Sequence, residues 1–179
     1  MTDQEFILRN KLYEYEDQYF RDMILQEGVL KDTAEFALEW SGDLCYHVGI
    51  DCISDVKVAA LEDTFVGQYD AEKRILTITP DSINDPTVIL HEMTHFYCHQ
   101  LEKINPSLNE ILLLDLYKRL SKEIDNLDEL IASHAELYTL EKLEMRGGLH
   151  TVLFYLKTLD IDLKCGYKLG TVFGYGYAD

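Results

Sequence analysis

Five consecutive residues, His91-Glu92-Met93-Thr94-His95, constrain this chain more than any other stretch, because the pairing of their two imidazoles requires a helix. On a helix, residues i and i+4 share a face with about 6 Å of axial rise between them, so both rings can turn toward one tetrahedral metal ion. Asn84-Asp85-Pro86 supplies the helix start, with Asp85 as N-cap and Pro86 in the first helical position, which sets His91 well inside. Glu92 follows the first imidazole directly. Its carboxylate is then placed to take the proton of a water as that water attacks a carbonyl. The expectation is a zinc site that performs hydrolysis.

At 179 residues the chain has the size of one domain and can bury a core without staples. An apolar fraction of 47% beside 27% charged residues is that of a globular protein rather than a disordered one. The formal charge is −17, from 33 acidic against 16 basic residues. A field of that sign repels phosphate backbones and anionic membranes, so neither nucleic acid nor membrane is an expected partner; a peptide or protein substrate, best a cationic one, suits it. The same acidity also serves solubility. Met1-Thr2-Asp3-Gln4-Glu5 shows no secretory or transit pattern, and no apolar run reaches membrane-spanning length. Cys45, Cys52, Cys98 and Cys165 lack CxxC or metal-finger spacing and are expected as reduced thiols, which points to the cytoplasm.

The rest of the chain reads as follows. From Asp3 to about Leu25, Phe6, Ile7, Tyr13, Phe20, Met23 and Ile24 recur at helical spacing and predict an amphipathic helix ending near Gly28. Asp32-Thr33-Ala34-Glu35 reads as a capping box for a second helix with Phe36, Ala37, Trp40 and Leu44 inward, so helices fill 1–48. Between 50 and 80 the period changes. Val56, Val58 and Ala60 alternate with Lys57 and Ala59, and residues 65–69 and 74–79 flank the turn Asp70-Ala71-Glu72-Lys73, giving a small sheet with a hairpin closed by Pro80.

A metal-binding helical core follows over 84–146. After the histidine helix comes one opened by a capping box at Ser107-Leu108-Asn109-Glu110, with Leu113, Leu116, Tyr117, Leu120 and Ile124 on its apolar face. A further helix from about Leu127 to Met145 ends at Gly147-Gly148. A short helix from Leu149 to Leu159 and a glycine–tyrosine tail complete 149–179. The fold class is α+β: a mainly helical single domain, 1–179, with a small sheet beside the histidine helix.

A hydrolytic zinc takes three protein ligands and an open position, so one ligand is still to be found. His99 lies eight helical residues from His91, about 12 Å along the axis, and is too far. Cys98 and Leu101 stand where the longer motif HExxHxxGxxH has its glycine and last histidine. Residues 128–136 offer Glu129, His134 and Glu136. Glu129 is the expected ligand, because the small residues Ala132 and Ser133 share its face and allow a close helix approach. Glu136 lies on that face about 10 Å further along and stays as the rival, or as a group that orients an imidazole. His134 reads as a core histidine.

With these residues the chain resembles the zincin metallopeptidases, specifically a compact form of their glutamate-ligand branch, the gluzincins. The resemblance covers roughly 65–140 and rests on Ile75-Leu76-Thr77-Ile78, His91-Glu92-Met93-Thr94-His95 and Glu129-Leu130-Ile131-Ala132. It implies zinc held by His91, His95 and Glu129, Glu92 as general base, and a strand around Leu76 to Ile78 that pairs with extended substrate. Larger gluzincins have asparagine before the third-ligand glutamate, where this chain has Asp128. A developing oxyanion also needs a donor, for which Tyr138, His134, Tyr167 and Tyr175 are candidates. The functional expectation is zinc-dependent peptide-bond hydrolysis; the alternative is a zinc-stabilised binding or regulatory module without turnover.

Overall fold

Thr2 caps the first helix. Its hydroxyl accepts the Glu5 amide at 3.1 Å while its own amide donates to the Glu5 carboxylate at 2.8 Å, so two orphan donors are satisfied together. The computed structural model describes residues 1–24, 53, 55–62, 64–104, 106–135 and 150–174. Helix α1 spans Asp3–Tyr15, continues through a π-helical turn at Glu16–Phe20 and ends as α2, Arg21–Ile24. Its buried stripe is Leu8, Leu12, Glu16, Phe20 and Met23, whereas Phe6 and Ile7, expected inward, are exposed. Steps of four residues drift by about 40° each on an α-helix, about 120° from Leu8 to Phe20. The wider π turn removes part of that drift and keeps Phe20 on the stripe. The second expected helix, with its Asp32 cap, lies outside the described residues.

Strands β1 (Asp55–Val58), β2 (Gly67–Asp70) and β3 (Ile75–Ile78) form a three-stranded sheet in the order β1-β3-β2. The expected hairpin is β2–β3, antiparallel with Gly67 opposite Ile78; β1 lies parallel to β3, Val56 beside Leu76. The Asp70 carboxylate accepts the amides of Glu72 and Lys73 at 3.1 and 3.0 Å and closes the turn. Arg74 completes it at φ 55°. The strand expected to receive substrate is therefore corrected: β3 is central, and its backbone donors and acceptors are already paired on both sides.

Helix α3, Pro86–Ile104, starts where Asp85-Pro86 predicts, with the Asp85 carboxylate accepting the Thr87 amide at 3.0 Å and its hydroxyl at 2.7 Å. Helix α4, Pro106–Ser121, begins one residue before Ser107, with Pro106 in the first turn rather than Ser107 as cap. Its buried row is Leu112, Leu116 and Leu120, leading to Ile124. Helix α5 is described over Leu127–Ala135. Helix α6, Val152–Cys165, starts three residues later and ends six later than expected. Thr151 caps it, accepting the Phe154 amide at 3.2 Å, and Gly166 ends it in the left-handed conformation. There the Tyr167 amide reaches the Asp162 carbonyl at 2.8 Å and the Gly166 amide the Leu163 carbonyl at 3.3 Å, a Schellman closure.

The fold is thus mainly helical α+β with a small sheet, and the chain packs as two compact units, Met1–Tyr97 and Cys98–Asp179. In the first, the Glu5 carboxylate accepts the Val58 amide at 3.4 Å, and Lys11 reaches the Ile83 carbonyl at 2.9 Å. Tyr97 donates to the buried Glu16 at 2.6 Å and stacks on Phe20 at 4.7 Å. In the second, α4 packs on α6, whose residues from Leu153 to Asp162 are all buried. Two charged groups lie within that run. Lys157 sits 3.1 Å from Asp160, which Lys164 and Arg119 also approach at 3.0 and 3.5 Å. Burial pushes the Asp160 carboxyl up, but Lys157 and Lys164 together outweigh it and hold it below the usual range. Among the described residues no helix is long and apolar enough to cross a membrane.

Candidate metal centre

Every residue of α3 from Thr87 to Thr94 is buried, so this part of the helix is enclosed on all sides rather than set on a surface. His91 is 1% exposed and Glu92 2%, while His95 is half-buried, one turn further on. The two imidazole centroids are 5.0 Å apart with planes at 71°, as the i, i+4 spacing requires. Between them Met93 fills core, and the Thr94 hydroxyl is satisfied by the Leu90 carbonyl at 2.7 Å. Two solvent-facing histidines on an outer helix face are thereby excluded.

Glu92 lies against the sheet. A Cβ at Gly67 would stand 2.8 Å from Val88 Cγ1, 3.0 Å from Glu92 Cγ and 3.2 Å from Glu92 Oε1. Only glycine lets β2 approach α3 this closely, and the approach fixes where the glutamate stem lies. One turn beyond Glu92, Phe96 meets Tyr69 edge-on at 5.6 Å, so the same strand also braces the end of the motif.

Two imidazoles so placed are donors that suit zinc, and a hydrolytic site needs a third ligand and an open position beside them. His150 stands just before the Thr151 cap of α6, with its ring 4.6 Å from Phe154 and 4.9 Å from Phe173.

Glu129, the expected third ligand, is exposed in the first turn of α5. Leu127 turns inward at the start of α5, and at 100° per residue Glu129, Ala132 and Ser133 fall near the opposite side, where all three are exposed. The small-residue face that argued for close packing faces solvent instead. Glu136, Tyr138 and Tyr175 lie outside the described residues, as does the His134 side chain. Tyr167 is half-buried, and its amide serves the end of α6.

No family model matches the chain, and no curated protein or solved structure matches it either.

Proposed function

We propose that the protein is a zinc-dependent hydrolase that cleaves peptide bonds, with His91 and His95 as metal ligands and Glu92 as general base. The observation that carries this reading is the pairing of the His91 and His95 imidazoles, 5.0 Å apart, beside a buried glutamate that follows the first of them. The pattern of His91, Glu92 and His95 resembles that of zincin metallopeptidases, and peptide as substrate rests on that resemblance. Zinc, when bound, supplies Lewis acidity, lowering the pKa of water toward neutrality and polarising the scissile carbonyl.

The chain's own groups do the rest. Glu92 takes the proton of the attacking water and delivers it to the leaving amine nitrogen, so one carboxylate serves as base and then as acid. The Gly67 contact holds that carboxylate's stem in place through both transfers. The net charge of −17 favours substrates with basic residues flanking the cleaved bond.

Metal analysis of the purified parent protein beside His91→Ala, His95→Ala and Glu129→Ala variants tests the site. Zinc is expected in the parent and absent from the two histidine variants, and its loss from Glu129→Ala as well names that residue as the third ligand. Equal zinc in all four rejects the site. Turnover is the separate question that a peptide library answers, and a zinc-loaded protein that cuts nothing is a binding module.

A further inference from the structure

We infer that Asp162 makes the turn after α6 a proton-coupled clasp, one that closes more firmly on the helix as the pH falls below neutral. Asp162 is fully buried in α6, and its carboxylate faces the chain that follows the helix. One oxygen accepts the Gly170 amide at 2.8 Å, the other the Val172 amide at 3.0 Å. The turn that carries these amides is tightly made. The Thr171 amide donates to the Lys168 carbonyl at 3.1 Å and the Gly174 amide to the Gly170 carbonyl at 2.9 Å, with Gly170 at φ 95°, a conformation glycine adopts without strain. Val172 is fully buried, which seats the turn. Phe173 then brings its ring to 5.2 Å from Tyr155 and 6.1 Å from Phe154, so closure covers these two side chains of α6.

The charges nearby are turned elsewhere. Lys157, Asp160 and Lys164 share one face of α6, and at 100° per residue Asp162 points away from them, on the face of Tyr155. Lys157, Lys164 and Arg119 of α4 gather on Asp160 at 3.1, 3.0 and 3.5 Å, and Arg119 also meets Asp115. Glu110 and Lys118 of α4, Glu129 of α5 and Lys168 of the turn are exposed, and Asp128 of α5 accepts the Tyr117 hydroxyl. Tyr155 is pushed up to about 12, by burial first and Asp162 second, and stays neutral. Asp162 is thus held by amide dipoles, with no cation paired to it among the described residues, and a buried carboxylate so held is costly as an anion. Burial outweighs the amides of Val172, Gly170 and Thr171 and pushes its carboxyl up to about 6. Opening the turn returns the group to water, where about 4 is ordinary. The closed turn therefore binds the proton more tightly than the open one. Protonation stabilises closure in full below about 4, and this is lost as pH rises through about 6. The neutral carboxyl still accepts an amide through its carbonyl oxygen, so the clasp keeps its geometry.

The test is amide hydrogen exchange of the full chain by NMR, read at Gly170 and Val172 and divided by the intrinsic rate at each pH, with the Asp162 Cγ shift followed as that residue's own titration. Protection at the two amides is expected to rise about tenfold from pH 7 to pH 5, in step with Asp162. It should become flat in Asp162→Asn, whose side chain keeps an acceptor but has no proton to gain. His150, whose ring lies 4.9 Å from Phe173, belongs to the residue type that gains charge over the same range, and His150→Gln is expected to keep the rise. Protection that stays flat or falls on acidification of the parent overturns the inference. So does a rise that survives in folded Asp162→Asn or vanishes in His150→Gln. Should Asp162→Asn fail to fold, the Cγ titration decides, since an Asp162 that titrates as an ordinary solvated carboxylate leaves the clasp nothing to couple to.

Discussion

Replacing Gly67 by alanine tests how closely the sheet and the motif helix meet. The added Cβ would sit 2.8 Å from Val88 Cγ1 and 3.0 Å from Glu92 Cγ. Carbon atoms in van der Waals contact stand about 3.5–4.0 Å apart, so roughly 0.7 and 0.5 Å must be relieved. The strand cannot easily yield, because Gly67 is held in register opposite Ile78. The helix cannot either, since Val88 and Glu92 lie in its enclosed stretch. Overpacking of this size costs about 1–3 kcal/mol, which urea denaturation resolves as a lowered midpoint at unchanged slope. The displaced carboxylate should lose on the order of tenfold in peptide turnover, while zinc content stays at the parent level because no imidazole is struck. An unchanged midpoint in Gly67→Ala would refute the close approach and, with it, the account of how Glu92 is held.

Glu92→Gln should retain zinc and lose peptide cleavage; cleavage at the parent rate would end the general-base role. Asp160→Ala strands the buried Lys157 ammonium and should cost about 3–5 kcal/mol by denaturant titration, against a smaller loss for Lys157→Met, which removes the cation itself. Asp160, held below its ordinary value, contributes stability above about pH 4 that is lost as pH falls through its lower folded pKa. Asp162 has the opposite sign. Burial pushes it up to about 6, against the pull of the amides of Val172, Gly170 and Thr171, so the folded state binds its proton first. Its contribution to stability rises as pH falls from about 6 toward about 4. The stability gap between parent and Asp162→Asn should therefore be wider at pH 4.5 than at pH 7, and a gap that does not change with pH would contradict the shift.

Where a local pattern carries the structure, the sequence was legible. Asp85-Pro86 marks a helix start whatever surrounds it, and the turn at Asp70 places the β2–β3 hairpin because its carboxylate closes the backbone locally. Long-range choices were not legible. Nothing in residues 55–58 says that they lie parallel to β3, and this pairing is what removes β3 as an open edge. Phe6 and Ile7 have the right spacing but lie outside a stripe set by Leu8 and Leu12. The proposed metal site divides in the same way: His91 and His95 report on each other across one helical turn, whereas no local pattern marks a third ligand. The size of Ala132 and Ser133 points to Glu129 only weakly, since small residues permit packing without requiring it, and Leu127 takes the inner face of α5.

The π turn at Glu16–Phe20 has a consequence for length variation. Deleting one exposed residue there, such as Gln18, would let the segment close as ordinary α-helix. The phenyl ring would then follow Glu16 by three positions instead of four, and at 100° per residue it would still face Tyr97. A helix of this kind normally cannot lose a residue without rotating everything beyond the gap. This one carries a spare, so a chain shortened by one residue at this site should melt close to the parent, with its indel tolerance stored inside a helix rather than in a loop.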